Sequence, residues 1–318
     1  MAQLAASSAS NARRPDILSR APAARRQRGA RQRSARRSGL LFTLPVIVLL
    51  VLVVLVPLCQ AFFYSFTNWN GAQANWTGFD NYASFFRDPN LRRIFLNSFL
   101  ILISLPVGMI FPFVTAYLLN NQMPGRKLMR TVIFAPTALS WVVIGLVARN
   151  FFANSGPINT VLQALGLGHL AVNWLANGTA AIIAVLFTFN AAVFGINMII
   201  FLTGLSTIDR SMIEAAGMDG AGPIRILVSI VIPTMRRFVE FVLIITLVTS
   251  FSGLFSLIYV MTTGGPGAAT TTLDFAVWQK AFASGDFGLA AALGIVLMVL
   301  ILIVVALVRF FSRLGDNE

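Results

Sequence analysis

Eleven carboxylates, one histidine and one cysteine are the residues of this 318-residue chain to weigh for acid–base, metal or thiol chemistry. Their spacing supports none of it. General acid–base work takes paired carboxylates in a cleft, and these are scattered over loops and tails. His169, in GLGHLAVNW, has no companion ligands, and zinc needs a cluster. Cys59 lies alone in an apolar run, so no intramolecular disulfide and no cysteine metal site can form. Phosphate cradling by G-x-x-x-x-G-K-[ST] is missing, because Lys127, in PGRKLM, and Lys280, in WQKAF, follow no such loop. The expectation is a chain with no catalytic residue, no metal and no cofactor of its own. One dense run is left: EAAGMDGAGP, Glu214 to Pro223, with two acids, three glycines and a proline between apolar blocks.

Composition says what must position that run. The chain is 57% hydrophobic and 11% charged, whereas a soluble domain carries about 25% charged residues. A membrane protein follows. Uncharged stretches at 38–79, 94–125, 131–148, 150–208, 241–273 and 287–308 place spanning helices near 40–65, 94–119, 131–153, 178–203, 237–262 and 286–311. Runs this continuous do not read as alternating barrel strands, and only helices otherwise satisfy their backbone in lipid. The expected fold is an all-α integral membrane protein of six helices. Residues 1–37 form an Arg-rich tail expected to be disordered, and residues 38–318 form one transmembrane domain, with membrane lipid as its surround.

The net charge of +13 is local: ten arginines and one aspartate fall in residues 1–40. The tail reads as a topology signal, with binding to nucleic acid or anionic lipid as the other reading; nucleic acid is not expected as a partner. With both termini cytoplasmic, 19 of the 24 basic residues fall inside, in agreement with the positive-inside rule. Arg87, Arg92, Arg93, Arg149 and Lys280 fall outside, the first three in or beside NYASFFRDPNLRRIF, which reads as a short interfacial helix.

This orientation puts Glu214 in the longest internal cytoplasmic loop, about 204–236. LSTIDRSMIEAAGM reads as a short helix, with Ser206 and Asp209 in a capping pattern and Ile208, Met212 and Ala215 or Ala216 along one apolar stripe. Gly217, Gly220, Gly222 and Pro223 then make a turn, and IRILVSIVIP returns as a helix ending near Pro233. A linker between two helices and a docking bracket both fit these residues.

The spacing narrows the choice. Glu-Ala-Ala, three residues, Gly220, nine residues, then Ile230-x-Ile-Pro233 resembles the EAA loop of binding-protein-dependent ABC importer permeases. Ile232 stands where leucine is usual, and Arg237 where many relatives carry a second proline. MTTGGPGAATTTLDFAVWQKAFASGDFGLAAALGIVL, from Met261, and FTNWNGAQANWTGFDNYASFFRDP resemble segments of the sugar-permease branch, which includes the maltose and glycerol-phosphate types. The resemblance covers nearly everything beyond residue 40. It implies a type I importer permease of a bacterial cytoplasmic membrane, importing a mono-, di- or oligosaccharide, polyol or glycerol phosphate. The implied partners are a second homologous permease, two ATPase subunits that carry ATP and Mg, and an extracytoplasmic binding protein. Ser211, Met212, Glu214, Ala215, Ala216, Asp219 and Gly220 would dock on an ATPase.

For substrate, the resemblance points to the helices flanking the loop. TFNAAVFGIN offers Asn190, and TSFSGLFSLIY offers Thr249, Ser250, Ser252, Phe255, Ser256 and Tyr259, with Gly253 allowing close approach. Helix-to-helix hydrogen bonding is the other use of such residues. Gly264, Gly265, Pro266 and Gly267 form an outer loop, a gate or binding-protein contact by resemblance and a plain turn otherwise. Glu240, near an inner helix end, reads as a snorkelling charge or part of a gate. A self-contained channel or ion-coupled carrier is the alternative function. Such carriers keep ionisable groups at mid-membrane, and these spans hold almost none.

Overall fold

The computed structural model describes residues 43–120 and 125–314; the Arg-rich tail 1–37 lies outside them. By internal contacts the chain divides into Met1–Gln60 and Ala61–Glu318. The described part of the first unit belongs to α1, Thr43–Tyr64, an apolar helix of 22 residues with one π-helical turn at Val51–Leu55.

Among the described residues of the second unit, helices joined by loops are the regular structure, apart from one isolated bridge between Thr67 and Trp76. Its elements are α2 (Asp80–Arg87), α3 (Pro89–Asn120), α4 (Arg126–Phe134), α5 (Trp141–Phe151), α6 (Pro157–Ala164) and α7 (Gly178–Leu205). Then come α8 (Arg210–Met218), α9 (Pro223–Thr234), α10 (Arg236–Met261), α11 (Leu273–Trp278) and α12 (Phe287–Leu314). Five helices among the described residues (α1, α3, α7, α10 and α12) are long and apolar enough to cross a membrane unbroken.

The sixth expected span, 131–153, is not one straight helix. Arg126–Ala138 and Trp141–Phe151 meet at 101°. Pro136 lies in the 3-10 turn Ala135–Ala138 and has no N–H to continue a helix. Ser140 then caps a fresh helix, accepting from the Val143 amide at 3.4 Å. The expected interfacial helix is also corrected. It stops at Arg87, and Arg92 and Arg93 belong to α3, which starts five residues before the expected boundary, on Pro89, a residue suited to a helix's first turn.

Helix α7 is the centre of the second unit, packed between α3 and α10. Two buried clusters lie along it. Phe189, Val185 and Ala184 meet Leu247, Leu254 and Leu257 of α10 and Ile101 and Leu105 of α3. Toward the other end, Met198, Phe201 and Leu205 meet Met109, Ala116 and Leu119 of α3 and Val231, Met235 and Val242. Close approach at that end needs Gly204, where a β-carbon would sit 2.6 Å from the Phe238 ring.

Candidate functional site

The bracket around Glu214 folds as two short helices on a glycine turn. Its N-cap is Asp209, whose carboxylate accepts from the Ser211 amide at 3.0 Å. That amide, with the Ser211 hydroxyl, holds the Asp209 carboxyl below its usual range. The expected pairing with Ser206 does not form. Helix α7 runs to Leu205, so Ser206 closes that helix instead, donating to Thr203 O at 2.6 Å.

At the other end of α8, Gly220 adopts φ +79°. Its amide donates to Gly217 O at 3.1 Å, and the Ala221 amide to Ala216 O at 2.9 Å. This is a Schellman closure, which favours glycine at the left-handed position. Helix α9 then starts at Pro223 behind Gly222.

One side of the bracket is fixed and the other is free. Ile208 is buried, and Ile213, Ile226 and Leu227 pack on the cluster that joins α3 and α7. The expected apolar stripe is corrected at Met212, which is exposed while Ile213 turns inward; a step of one residue swings a side chain about 100° around the helix. Ser211, Met212, Glu214, Ala215, Met218, Asp219 and Gly220 are exposed, Met218 at 89%, and Ala216 is half-buried. β-Carbons built at Gly217, Gly220 and Gly222 meet nothing within 4 Å. The face is thus backed by packed side chains and presents Met212, Met218, the Glu214 carboxylate and open space.

The polar residues of α10 divide between two faces. Ser250 is buried and donates to Leu247 O at 2.7 Å. Gly253 is buried, and a β-carbon there would lie 2.9 Å from the Trp141 ring, which itself stacks on Phe189 with centroids 5.7 Å apart. Thr249 and Ser256 are half-buried and Ser252 and Tyr259 exposed, forming a row of hydroxyls on the opposite side. Tyr259 stacks on Phe255, and Trp278 meets it edge-on at 5.3 Å. Flat aromatic faces beside hydroxyls suit a ligand with apolar and polar sides.

Asn190 is not beside these groups. It lines a cavity of about 620 Å³ between α3 and α7, with Ser104 and Phe187. Its amide donates to Leu186 O at 2.8 Å, and its Oδ1 occupies the space a β-carbon on Gly108 would fill. Ser250 lines a different void, of about 20 Å³, together with Ser98, Thr272 and Asp274. Asn190 and Ser250 therefore do not share a cavity.

The segment after α10 is a bonded structure. Gly264 is buried at φ +84°, where a β-carbon would meet Thr271 Oγ1 at 2.6 Å. Thr271 donates to Gly264 O at 3.0 Å and Thr270 to Gly265 O at 2.9 Å. Asn97 of α3 ties the segment down, donating to Ala268 O at 3.0 Å and Thr271 O at 2.9 Å. Pro266 and Gly267 are exposed at the tip. Below it, burial pushes the Asp274 carboxyl up to about 6, against the pull of the Thr272 hydroxyl and the Phe275 and Asp274 amides. Asn97, Asp274 and Trp278 were not singled out in the sequence, since each is a single residue inside an apolar run.

His169 is exposed, and no group of three or more metal-ligating side chains occurs among the described residues.

Known proteins share this arrangement. The family model described as "Binding-protein-dependent transport system inner membrane component" matches residues 81–314. The multiple sugar-binding transport system permease protein MsmF of Streptococcus mutans is 30% identical, over 84% of this chain and 92% of its own. The sulfoquinovosyl glycerol transport system permease protein SmoG of Agrobacterium fabrum is 32% identical, over 88% and 92%. The sn-glycerol-3-phosphate transport system permease protein UgpA of Pectobacterium atrosepticum is 30% identical, over 85% and 92%. In fold, the chain matches a subunit of a bacterial ABC transporter involved in import of the acidic polysaccharide alginate. The TM-score is 0.75 at 21% identity, covering 89% of this chain and 98% of that one. With a transport-component family spanning most of the chain and sugar-system permeases aligned along nearly their whole lengths, this multi-pass helical protein belongs to the binding-protein-dependent transport system inner membrane components, as a permease of the carbohydrate ABC importer type.

Proposed function

We propose that this chain forms half of a carbohydrate pathway through a bacterial cytoplasmic membrane, with both termini cytoplasmic. A second homologous permease supplies the other half. Two ATPase subunits, carrying ATP and Mg, drive it, and an extracytoplasmic binding protein delivers the sugar. The observation that carries this reading is the exposed face of α8 around Glu214, backed by Ile208 and Ile213 on the cluster between α3 and α7. A push on that face reaches two spanning helices through packed side chains, which is how a rigid-body switch is transmitted. The names of the relatives support the substrate class, and the alginate transporter of similar fold was solved with a periplasmic protein bound to an alginate pentasaccharide.

On this reading Glu214 gives its carboxylate to a basic group on the ATPase, and the Gly220 turn sets the angle of the docked helix. The hydroxyl row Thr249, Ser252, Ser256 and Tyr259 lines this chain's half of the pathway. The rim at Gly264, Gly265, Pro266 and Gly267 meets the binding protein.

The test is a tagged pull-down in mild detergent, followed by ATPase assays with and without loaded binding protein. Capture of an ATPase and a second permease, with activity raised by the loaded binding protein and capture weakened by Glu214→Lys, is the expected result. A chain that purifies alone and moves solute into vesicles without ATP is a carrier and overturns the reading. Unchanged assembly and transport in Glu214→Lys would remove that residue from the dock.

A further inference from the structure

Where α3 and α7 end, at Asn120 and Leu205, a polar cavity of about 550 Å³ opens between them, α4 and α8. Arg126 and Arg130 enter it from α4, and Arg210 and Glu214 from α8, with Leu205, Ile208 and Ile213 as its apolar wall. Three arginines and one glutamate thus line one cavity. No ion pair among the described residues neutralises Arg126, Arg130 or Arg210.

Helix stability does not explain two of these arginines. Arg126 and Arg210 are the first residues of α4 and α8, where the positive end of the helix dipole repels a cation. Arg130 donates through Nη2 to Leu119 O at 3.2 Å, which closes the end of α3. Its Nε is sealed from solvent without a partner, and a buried donor left unpaired is costly. One anion held by the three arginines would offset the charge that no carboxylate neutralises, while the sealed Arg130 Nε stays out of its reach.

The position of the cavity says where that anion comes from. Two spanning helices end on its wall, which places it at headgroup depth. On the face of α4 turned away from Arg126 and Arg130, Leu128, Met129 and Val132 are exposed, an apolar side that seats α4 at the membrane interface, where anionic headgroups are at hand. Basic pockets between spanning helices on the cytoplasmic side are a known form of lipid recognition. We propose that Arg126, Arg130 and Arg210 hold the phosphate of an anionic phospholipid of the cytoplasmic leaflet. Because Ile213 and Glu214 form a wall of the same cavity, the lipid braces the docking helix and sets how strongly ATPase movement reaches the membrane helices. This rests on the cytoplasmic placement and coupling role proposed above.

The test uses the assembled transporter in nanodiscs of phosphatidylcholine, with or without phosphatidylglycerol. Lipid retained on the permease is read by native mass spectrometry, and coupling by ATPase activity stimulated by the binding protein. Wild type retains phosphatidylglycerol and gains stimulated activity from it. Arg126→Gln and Arg210→Gln each lower retention about fivefold, the effect of one basic group at an anionic surface, and lose the gain. Lys127→Gln, an exposed neighbour outside the cavity, keeps both. Equal retention by Arg126→Gln and wild type overturns the proposal. So does recovery of the gain in pure phosphatidylcholine on adding inorganic phosphate, which marks a soluble-anion site. Loss of ATPase capture in Arg210→Gln with retention intact overturns it too, marking an acidic partner side chain as the occupant. If no ATPase assembles with wild type but phosphatidylglycerol is still held, the importer reading fails and the lipid site stands.

Discussion

Thr246 of α10 donates its hydroxyl to Asn197 Oδ1 of α7 at 3.1 Å, with both residues buried. Polar bonds of this kind between membrane helices average about 0.6 kcal/mol and reach about 1.7. α7 and α10 are the helices on either side of the Glu214 bracket, so the bond ties together the two helices that flank it. Thr246→Val and Asn197→Leu, alone and together, are expected to show a coupling energy in that range by thermal unfolding in detergent. Strictly additive losses would mean that the bond contributes nothing.

Much of this was legible in the sequence, for physical reasons that vary from place to place. Five uncharged runs became unbroken apolar helices because backbone in lipid has few alternatives. Gly220 took its turn because a left-handed position selects glycine. The bend at Leu139 was not legible. Pro106 and Pro112 lie inside a continuous α3, whereas Pro136 begins a break, and the difference rests on Ser140 starting a new helix. Nor was the facing of α10. Ser250 and Ser252 are two residues apart, about 200° around the helix. One is buried and the other exposed. A helix apolar on every side carries no periodicity to say which face meets its neighbours.

The turn at Gly220 separates folding from docking. Gly220→Ala puts a β-carbon on a φ of +79°, which costs about 1–2 kcal/mol and should lower the melting temperature of the isolated permease. Gly217→Ala and Gly222→Ala meet no atom within 4 Å and leave that temperature unchanged or slightly higher. If the open space belongs to a docked ATPase, both variants still capture less of it. Full capture by both would show that the space is simply solvent.

Asn97 is the peg that holds the segment after α10. It is 5% exposed and donates to two carbonyls, Ala268 O and Thr271 O. Asn97→Ala strands both acceptors and is expected to cost about 1–3 kcal/mol. Asn97→Asp, which has no amide hydrogens to donate, should lose at least as much. Limited proteolysis should find the segment 262–272 cut faster in both variants. Equal cutting of wild type and variants would mean that the segment holds its shape through Thr270 and Thr271 alone.

Asp274 gives stability a pH dependence of definite sign. Burial raises its carboxyl from 3.8 to about 6, and its Oδ2 is sealed without a partner. The folded state therefore prefers the protonated acid. Burial alone sets the sign: its contribution is complete below the unfolded value of 3.8 and is lost as pH rises through about 6. A rise of this size corresponds to about 3 kcal/mol at most. Wild type should melt higher near about pH 5 than near about pH 7.5. Asp274→Asn carries no titrating proton at this position, so its melting temperature should vary less with pH and exceed wild type at the higher pH. Parallel curves for the two proteins would mean that the carboxylate finds a compensating partner when it ionises, with Ser98 and Ser250, which line the same void, as the first hydroxyls to replace with alanine.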